Sequence, residues 1–467
     1  MCLAMTAAPI DLRRPGRYHV VGVGGPGTSA LALVLIGMGH DVSGSDRSES
    51  AMLDRLREAG VRVLVGHSEE HVRGCDAVTS SSAVPSDNIE LAAARAQGIA
   101  VLSRGEMLAA ICACADTIAI AGTAGKTTVT SMLALILEAA GLAPSWIVGG
   151  DAVDLGGGAR WTGGRLLVVE ADESDGTFRE LPVHATVLTN VHVDHLDHFG
   201  TVEAIEAGFD AYLAAVAGPK IVCADDPVAA RLAAAHGATT YGLSAGAHWQ
   251  ARDIVASGPR QRFTVRHRGD DVGVVALGQP GAHNVRNALG ALAMAVALGV
   301  PVDTATDALA TYSGVARRFD RRGTSKRVTF VDDYAHIPTK IEAAIEAAHS
   351  GKDGWERIVV VFQPNRYSRM SVMTDEYRDA FVGADLVVIT EIYPSGERRI
   401  PGVTAASLAE VLRQAHPERP VVWLPEREQL VSWLARELEP GDLCLSMGCG
   451  DIALLPDEVQ ALMGQEP

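Results

Sequence analysis

Gly122-Thr123-Ala124-Gly125-Lys126-Thr127-Thr128 decides how this chain is read. It follows the apolar stretch TIAIAG at 117–122 and leads into an apolar run from Thr127 to Ala140 with helical spacing. A strand, a glycine turn and a helix in that order bring backbone N–H groups and a helix N-terminus to one point, which is how phosphate oxygens are held. Lys126 is placed to reach terminal phosphates and Thr127 to ligate Mg²⁺. Two residues, not four, separate the glycines, so the loop is a variant of the general phosphate loop.

On the N-terminal side, Tyr18–Gly22 (YHVVG) reads as a strand running into Gly22-Val23-Gly24-Gly25-Pro26-Gly27 and an apolar helical stretch from Ser29 to Met38. The next strand ends at Asp46, and strand-like pieces at 61–66 and 76–84 alternate with helical ones up to Arg104. On the C-terminal side, strands are expected at Leu166–Val169, Thr186–Thr189 and Lys220–Cys223, a small β-sheet over 248–277, and a closing helix from Asn284 to Leu298. Beyond the basic cluster Arg317–Arg322, a new alternation places strands at Arg327–Val331, Ile358–Phe362, Leu386–Ile389 and Leu443–Ser446. The pattern predicts an α/β chain of three domains, with a Rossmann-type domain over 1–110, a central phosphate-loop domain with a mostly parallel sheet over 111–320, and a Rossmann-like domain over 321–467.

Composition agrees with that scale. At roughly 100–200 residues per domain, 467 residues suit two to four domains, and 48% hydrophobic with 21% charged residues describes an ordinary globular chain. Forty Lys+Arg against 57 Asp+Glu leave a net charge of −17, which argues against binding a nucleic-acid backbone and leaves room for an anionic small ligand in a local positive pocket. The N-terminus lacks the pattern of a signal peptide and no apolar run is long enough to span a membrane, so a cytoplasmic protein without membrane contact is expected. Seven cysteines without C-x-x-C spacing fit reduced, mostly buried thiols; a metal or redox pair at Cys112 and Cys114 is the alternative.

Four further segments carry chemistry-bearing residues. Glu170-Ala171-Asp172-Glu173-Ser174-Asp175 follows a strand at the sheet edge where ligands bind, and Glu170, nearest the strand, is the better Mg²⁺ ligand. Asn190-Val191-His192-Val193-Asp194-His195-Leu196-Asp197-His198 approaches the metal pattern of metallo-β-lactamase-type hydrolases, but Asn190 stands at the first histidine; His195 is the candidate for one bond to Mg²⁺. Gly22-x-Gly24-x-x-Gly27 with Asp46 would suit a dinucleotide, although a nucleotide diphosphate uses the same physics. Asp332-Asp333-Tyr334-Ala335-His336-Ile337-Pro338 opens a helix, and Arg366 and Arg369, three apart at a strand end, suit a carboxylate.

VGVGGPG, SGSD, SSAV, GTAGKTT, EADESDG, TNVHVDHLD, GAHNVRNALGA, GVARRFD, DDYAHIPT, FQPNRYSR, GERRIPGV and GDLCLSMGCGD resemble, in order and over nearly the whole chain, the segments of the Mur ligases. The resemblance implies a UDP-sugar domain, a central ATPase and an amino-acid domain. It also implies phosphorylation of the lactyl carboxylate of UDP-N-acetylmuramate by ATP and attack of the L-alanine amine on the acyl phosphate. By that pattern Gly122, Thr123, Ala124, Gly125, Lys126, Thr127 and Thr128 cradle ATP; Thr127, Glu170 and His195 hold Mg²⁺; His283, Asn284 and Asn287 meet the adenine region; Arg318 and Asp332 lie on the triphosphate side. Gly22, Gly24, Gly25, Gly27, Asp46 and Ser81 hold the UDP-sugar, and His336, Arg366 and Arg369 the amino acid, in a monomer or weak homodimer. The catalytic set is Lys126, Glu170, His195, Arg318 and His336. The chain departs from the family's usual residues at Ala124, where His is usual, and at Thr28 (Met), His192 (Glu), Ile337 (His) and Asn365 (His). A Mur ligase for another amino acid or a peptide, or an inactive nucleotide-binding relative, is the alternative.

Overall fold

The computed structural model describes residues 10–465 except 82, 174–175, 194–198, 258–259 and 351–354. It is an α/β structure built on three mostly parallel sheets. The first comprises β1 (Arg17–Val21), β2 (Asp41–Asp46), β3 (Arg62–Val65), β4 (Ala77–Ser80) and β5 (Ala100–Ser103), in the order β3-β2-β1-β4-β5. Its central strand is buried from Tyr18 to Val21, the unbroken burial of a parallel strand with helices on both faces. Gly25 caps the helix Pro26–Gly37, and Pro26 occupies its first turn, where a missing N–H leaves no intrahelical bond unmade.

The second sheet contains β6 (Asp116–Ala121), β7 (Ser145–Ile147), β8 (Ala159–Arg160), β9 (Leu166–Glu170), β10 (Ala185–Leu188), β11 (Lys220–Cys223) and β12 (Thr239–Gly242), with β13 (Trp249–Ser257), β14 (Arg260–His267) and β15 (Asp270–Leu277). The order is β15-β14-β13-β12-β11-β10-β6-β9-β7-β8, so β6 lies between β9 and β10. The stretch 248–277, expected as a small sheet, instead continues this one: Tyr241 and Gly242 pair in parallel with Trp249 and Gln250. The third sheet runs β16 (Asp320–Ser325), β17 (Val328–Asp333), β21 (Asp442–Met447), β18 (Arg357–Phe362), β19 (Leu386–Ile389), β20 (Val421–Trp423). Here β16, which the sequence reading took as part of a basic cluster between domains, is an antiparallel edge strand on β17.

The chain packs as two compact units, 1–252 with 264–275 and 286–309, and 253–263 with 276–285 and 310–467. In the first, one apolar cluster runs from Val20, Leu31 and Leu35 through Met107 and Ile111 to Ala119, Val169, Leu188 and Phe209. In the second, alternate residues of β18 face two cores, Ile358, Val360 and Phe362 on one side and Val359 and Val361 on the other. The six described cysteines are all free; Cys112, Cys223 and Cys444 are buried, and burial pushes the Cys112 thiol up to about 12. No helix among the described residues is long and apolar enough to cross a membrane.

Candidate active site

The phosphate loop turns out of β6 at Gly122 and enters the helix Lys126–Ala139. Gly125 caps that helix with φ +88°, a conformation L side chains rarely adopt, and a Cβ there would meet Asn287 Oδ1 at 2.5 Å. The loop is clamped from the end of the neighbouring strand, β10. Asn190 Oδ1 accepts the Ala124 N–H at 2.9 Å, Asn190 Nδ2 donates to the Ala124 carbonyl at 2.9 Å, and Thr189 Oγ1 donates to the same carbonyl at 2.7 Å. Thr123 N–H donates to the Asn190 carbonyl at 3.1 Å, and Thr123 Oγ1 accepts the His192 N–H at 2.9 Å. Asn190, which reads in sequence as a defective metal position, is thus the residue that fixes the loop.

Lys126 is 13% exposed, and its Nζ donates to the Gly122 carbonyl and to Glu173 Oε2, both at 2.6 Å. Burial alone would lower its pKa, but Glu173, Asp172 and Glu170 outweigh that and raise it, so the side chain is an ammonium. The carboxylates after β9 therefore divide their work. Glu173, which sequence reading left evenly between metal ligand and solvated turn, is buried against Lys126. Glu170 Oε1 accepts the Gly149 N–H at 2.7 Å, and Asp172 Oδ2 accepts from Arg104 Nη2 at 3.3 Å. Asp175 and His195 lie outside the described residues. Thr127, buried at the helix start, and Glu170 are hard oxygen donors of the kind Mg²⁺ takes, so the residues present fit that ion. His192 Nε2 pairs with Asp226 at 3.2 Å, and Asp226 in turn caps the helix Pro227–Ala235, a structural arrangement.

In the helix Ala282–Ala297, Asn287 abuts Gly125 of the phosphate loop, while Asn284 Nδ2 donates to the Pro280 carbonyl at 2.7 Å and His283 is half-buried.

The glycine turn after β1 is held by its own neighbours. Gly22 and Val23 N–H groups donate to the Ser45 carbonyl at 2.8 and 3.0 Å, Gly24 N–H to Asp46 Oδ2 at 2.9 Å, and Thr28 Oγ1 to the Gly22 carbonyl at 2.6 Å. Asp46 also accepts the Arg47 N–H at 2.7 Å. In a dinucleotide fold the equivalent acid binds a ribose hydroxyl; here it braces the turn. Ser81 sits against Gly22, and the Arg104 side chain lies along Gly27, from where it reaches Asp172. Arg104 was not singled out in sequence, where it marks only the end of a helical stretch.

In the second unit, Arg317 holds Asp332. Its Nε donates to Asp332 Oδ2 at 3.0 Å, and its Nη atoms donate to the Gly448 and Cys449 carbonyls at 2.6 and 3.2 Å. Asp332 is fully buried, and the Arg317 and Arg318 guanidiniums both lie over the Tyr334 ring, at 5.0 and 5.1 Å. His336 Nδ1 is 2.8 Å from the Tyr334 carbonyl. Burial, with Lys340 and Arg369 nearby, lowers its pKa well below the usual histidine value. The ring is therefore neutral, with its proton on Nδ1 facing that carbonyl and Nε2 as the acceptor nitrogen. Arg366 is exposed at the start of the helix Tyr367–Met373, and Arg369 Nη1 donates to Asn365 Oδ1 at 2.9 Å. Ile337 and Asn365, two of the departures from the family pattern, are buried.

The chain matches three family models in succession: Mur ligase family, catalytic domain, over residues 17–114; Mur ligase middle domain over 120–295; and Mur ligase, glutamate ligase domain, over 317–450. It is 42% identical to a UDP-N-acetylmuramate–L-alanine ligase of Geobacter sp. (strain M21), over 93% of this chain and 95% of that one. It is 43% identical to a protein of the same name from Sorangium cellulosum, over 94% of each. Among solved structures, it superimposes on a UDP-N-acetylmuramate-alanine ligase from Thermotoga maritima with a TM-score of 0.83 at 27% identity, covering 97% of this chain and 100% of that one. A murein peptide ligase from Psychrobacter arcticus gives 0.70 at 25% identity, covering 97% and 99%.

Proposed function

Because the chain belongs to the Mur ligase family, we infer that it joins L-alanine to the lactyl carboxylate of UDP-N-acetylmuramate in an ATP-dependent reaction of peptidoglycan synthesis. Relatives of that name at 42–43% identity over more than nine-tenths of the chain support the substrates. The observation that carries the reaction type is the braced phosphate loop with its charged, largely buried Lys126.

A carboxylate at neutral pH has no leaving group, so an oxygen of the lactyl carboxylate takes the γ-phosphoryl group of ATP and ADP departs. The alanine amine then adds to the acyl carbon, the bond between that carbon and the phosphorylated oxygen breaks, inorganic phosphate leaves carrying that oxygen, and the nitrogen gives up a proton. Lys126 is the cation for the transferring phosphoryl group; to reach it, the ammonium exchanges the Gly122 carbonyl and Glu173 for phosphate oxygens. Thr127, Glu170 and His195 would hold Mg²⁺, which when bound offsets negative charge on the phosphates. The turn from Gly22 to Gly27, braced by Asp46 and Thr28 with Ser81 beside it, receives the UDP-sugar diphosphate at the start of the helix it leads into. Neutral His336 accepts the proton of the alanine nitrogen, and Arg366 and Arg369 hold its carboxylate. Arg318 would serve the triphosphate, with Asp332 holding the neighbouring Arg317, and His283, Asn284 and Asn287 would meet the adenine. We assign the UDP-sugar, ATP and amino-acid roles to 1–110, 111–320 and 321–467, and place the enzyme in the cytoplasm, where ATP is supplied.

Likeness to a peptide ligase makes the acceptor the point to test. Phosphate release from ATP and Mg²⁺ with UDP-N-acetylmuramate is compared for L-alanine, glycine, L-serine and a tripeptide. Release strongest with L-alanine is expected; release only with the tripeptide would overturn the acceptor, and none with any acceptor despite nucleotide binding would overturn the ligase.

A further inference from the structure

Away from the phosphate loop, the first sheet buries a carboxylate among imidazoles. Glu90, near the start of the helix Ile89–Ala96, is fully buried, as is His19 in the middle of β1. His67 and His71, from the segment after β3, complete the group and are about one-fifth exposed. Glu90 Oε1 lies 2.5 Å from His71 Nδ1 and 3.5 Å from His19 Nε2, while Oε2 lies 2.8 Å from His67 Nδ1 and accepts from Ser45 Oγ at 2.6 Å. His19 Nε2 is buried, points at this carboxylate and makes no hydrogen bond. A buried ring nitrogen in that position is costly to leave unmatched.

We propose that His19 Nε2, His71 Nδ1 and Glu90 Oε1 form a binding site for a transition-metal dication of the zinc class, on the face of the first sheet next to the glycine turn. Their ligand atoms all lie within 4.8 Å of one another. Two imidazoles and one carboxylate are a ligand set that zinc and its neighbours accept, with further positions for water. The His19–Glu90 separation of 3.5 Å is close to the roughly 3.3 Å between donors in a tetrahedral zinc site. At His71 the ring proton moves from Nδ1 to Nε2, and Nδ1 and Glu90 Oε1 part from 2.5 Å to the roughly 3.3 Å between donors around the ion. The supporting shell is in place: Ser43 Oγ lies 2.8 Å from His19 Nδ1, and Ser45 and His67 occupy the second oxygen of Glu90. The partly exposed His67 and His71 give the ion a way in. Ser45, whose hydroxyl supports the carboxylate, accepts the Gly22 and Val23 amides with its carbonyl, so an ion here would tie β1, β2 and the helix Ile89–Ala96 beneath the turn.

The test titrates Zn²⁺ into metal-stripped full-length protein against a chromogenic chelator, in parent, His71→Ala, Glu90→Gln and Glu170→Gln. The parent and Glu170→Gln are expected to take one tight equivalent, and His71→Ala and Glu90→Gln to bind it at least about tenfold more weakly. Because Glu90→Gln disturbs a buried group, the partly exposed His71→Ala carries the comparison, with its fold checked by circular dichroism. Zinc should also raise the Tm of the parent and not of His71→Ala, and Co²⁺ should give the parent the intense visible bands of a low-coordinate site. No tight equivalent in the parent, or one lost in Glu170→Gln and kept in His71→Ala, would overturn the site.

Discussion

Asn190 offers the sharpest test of how the phosphate loop is built. Its amide makes two hydrogen bonds to one residue of the loop, at Ala124 N–H and Ala124 carbonyl, both 2.9 Å. A net hydrogen bond contributes about 1 kcal/mol, so Asn190→Ala removes up to about 2 kcal/mol of bracing. Thr189 still donates to the Ala124 carbonyl at 2.7 Å, which cushions part of the loss. Nucleotide affinity depends on the loop being held in its binding shape, so the expected rise in Kd is about 10- to 30-fold. Asn190→Asp should weaken binding at least as much: it keeps the acceptor for Ala124 N–H, but puts an anion where a donor faced the carbonyl and near incoming phosphates. Calorimetric titration with a non-hydrolysable ATP analogue and Mg²⁺ gives the affinity, and scanning calorimetry reports whether each variant is folded. A folded Asn190→Ala whose Kd stays within about twofold of the parent would refute the clamp.

Three other outcomes follow from the same contacts. Lys126→Ala should lose at least about a hundredfold in turnover while UDP-N-acetylmuramate affinity, read by titration without ATP, is unchanged. Asp46→Ala removes the acceptor for the Gly24 and Arg47 amides and should weaken UDP-sugar binding about tenfold with little effect on ATP affinity. For Glu90, burial pushes the carboxyl up, but His19 beside it and the hydrogen bonds with Ser45 and His67 outweigh that and hold the group at about 2 against an ordinary 4.5. A folded pKa below the unfolded one stabilises the protein above the ordinary value and loses that contribution as pH falls from about 4.5 to 2, here about 3 kcal/mol. Urea unfolding of parent and Glu90→Gln across that range should show the gap between them closing toward acid; a constant gap would show that His19, His67 and His71 do not hold the carboxylate charged.

Features set by local order were legible in the sequence. The strand–glycine–helix succession around Gly122–Thr128 and around Gly22–Gly27 needs only neighbouring residues, and both occur where expected. Features set by pairing at a distance were not. Asn190 reaches Ala124 only because β10 lies beside β6, and the strands of 248–277 join the central sheet only because Trp249 pairs with Tyr241. Edge strand β16 reads DRRGTS, with neither alternation nor β-branched runs to mark it, and is made by pairing with β17. The Glu90 cluster draws residues from three separate segments, and a glutamate after a helix-capping Asn88 carries no sign of burial in the sequence. Arg317 illustrates the same limit, since only the pairing of β17 with β21 brings Asp332 and the Gly448 and Cys449 carbonyls to one guanidinium.

The most direct measurement of the central claim uses UDP-N-acetylmuramate labelled with ¹⁸O in both lactyl carboxylate oxygens, incubated with ATP, Mg²⁺ and L-alanine. Activation through an acyl phosphate predicts one ¹⁸O in the released phosphate and one kept in a product heavier by a single alanyl residue. Unlabelled phosphate, or labelled phosphate without the alanyl product, would contradict it.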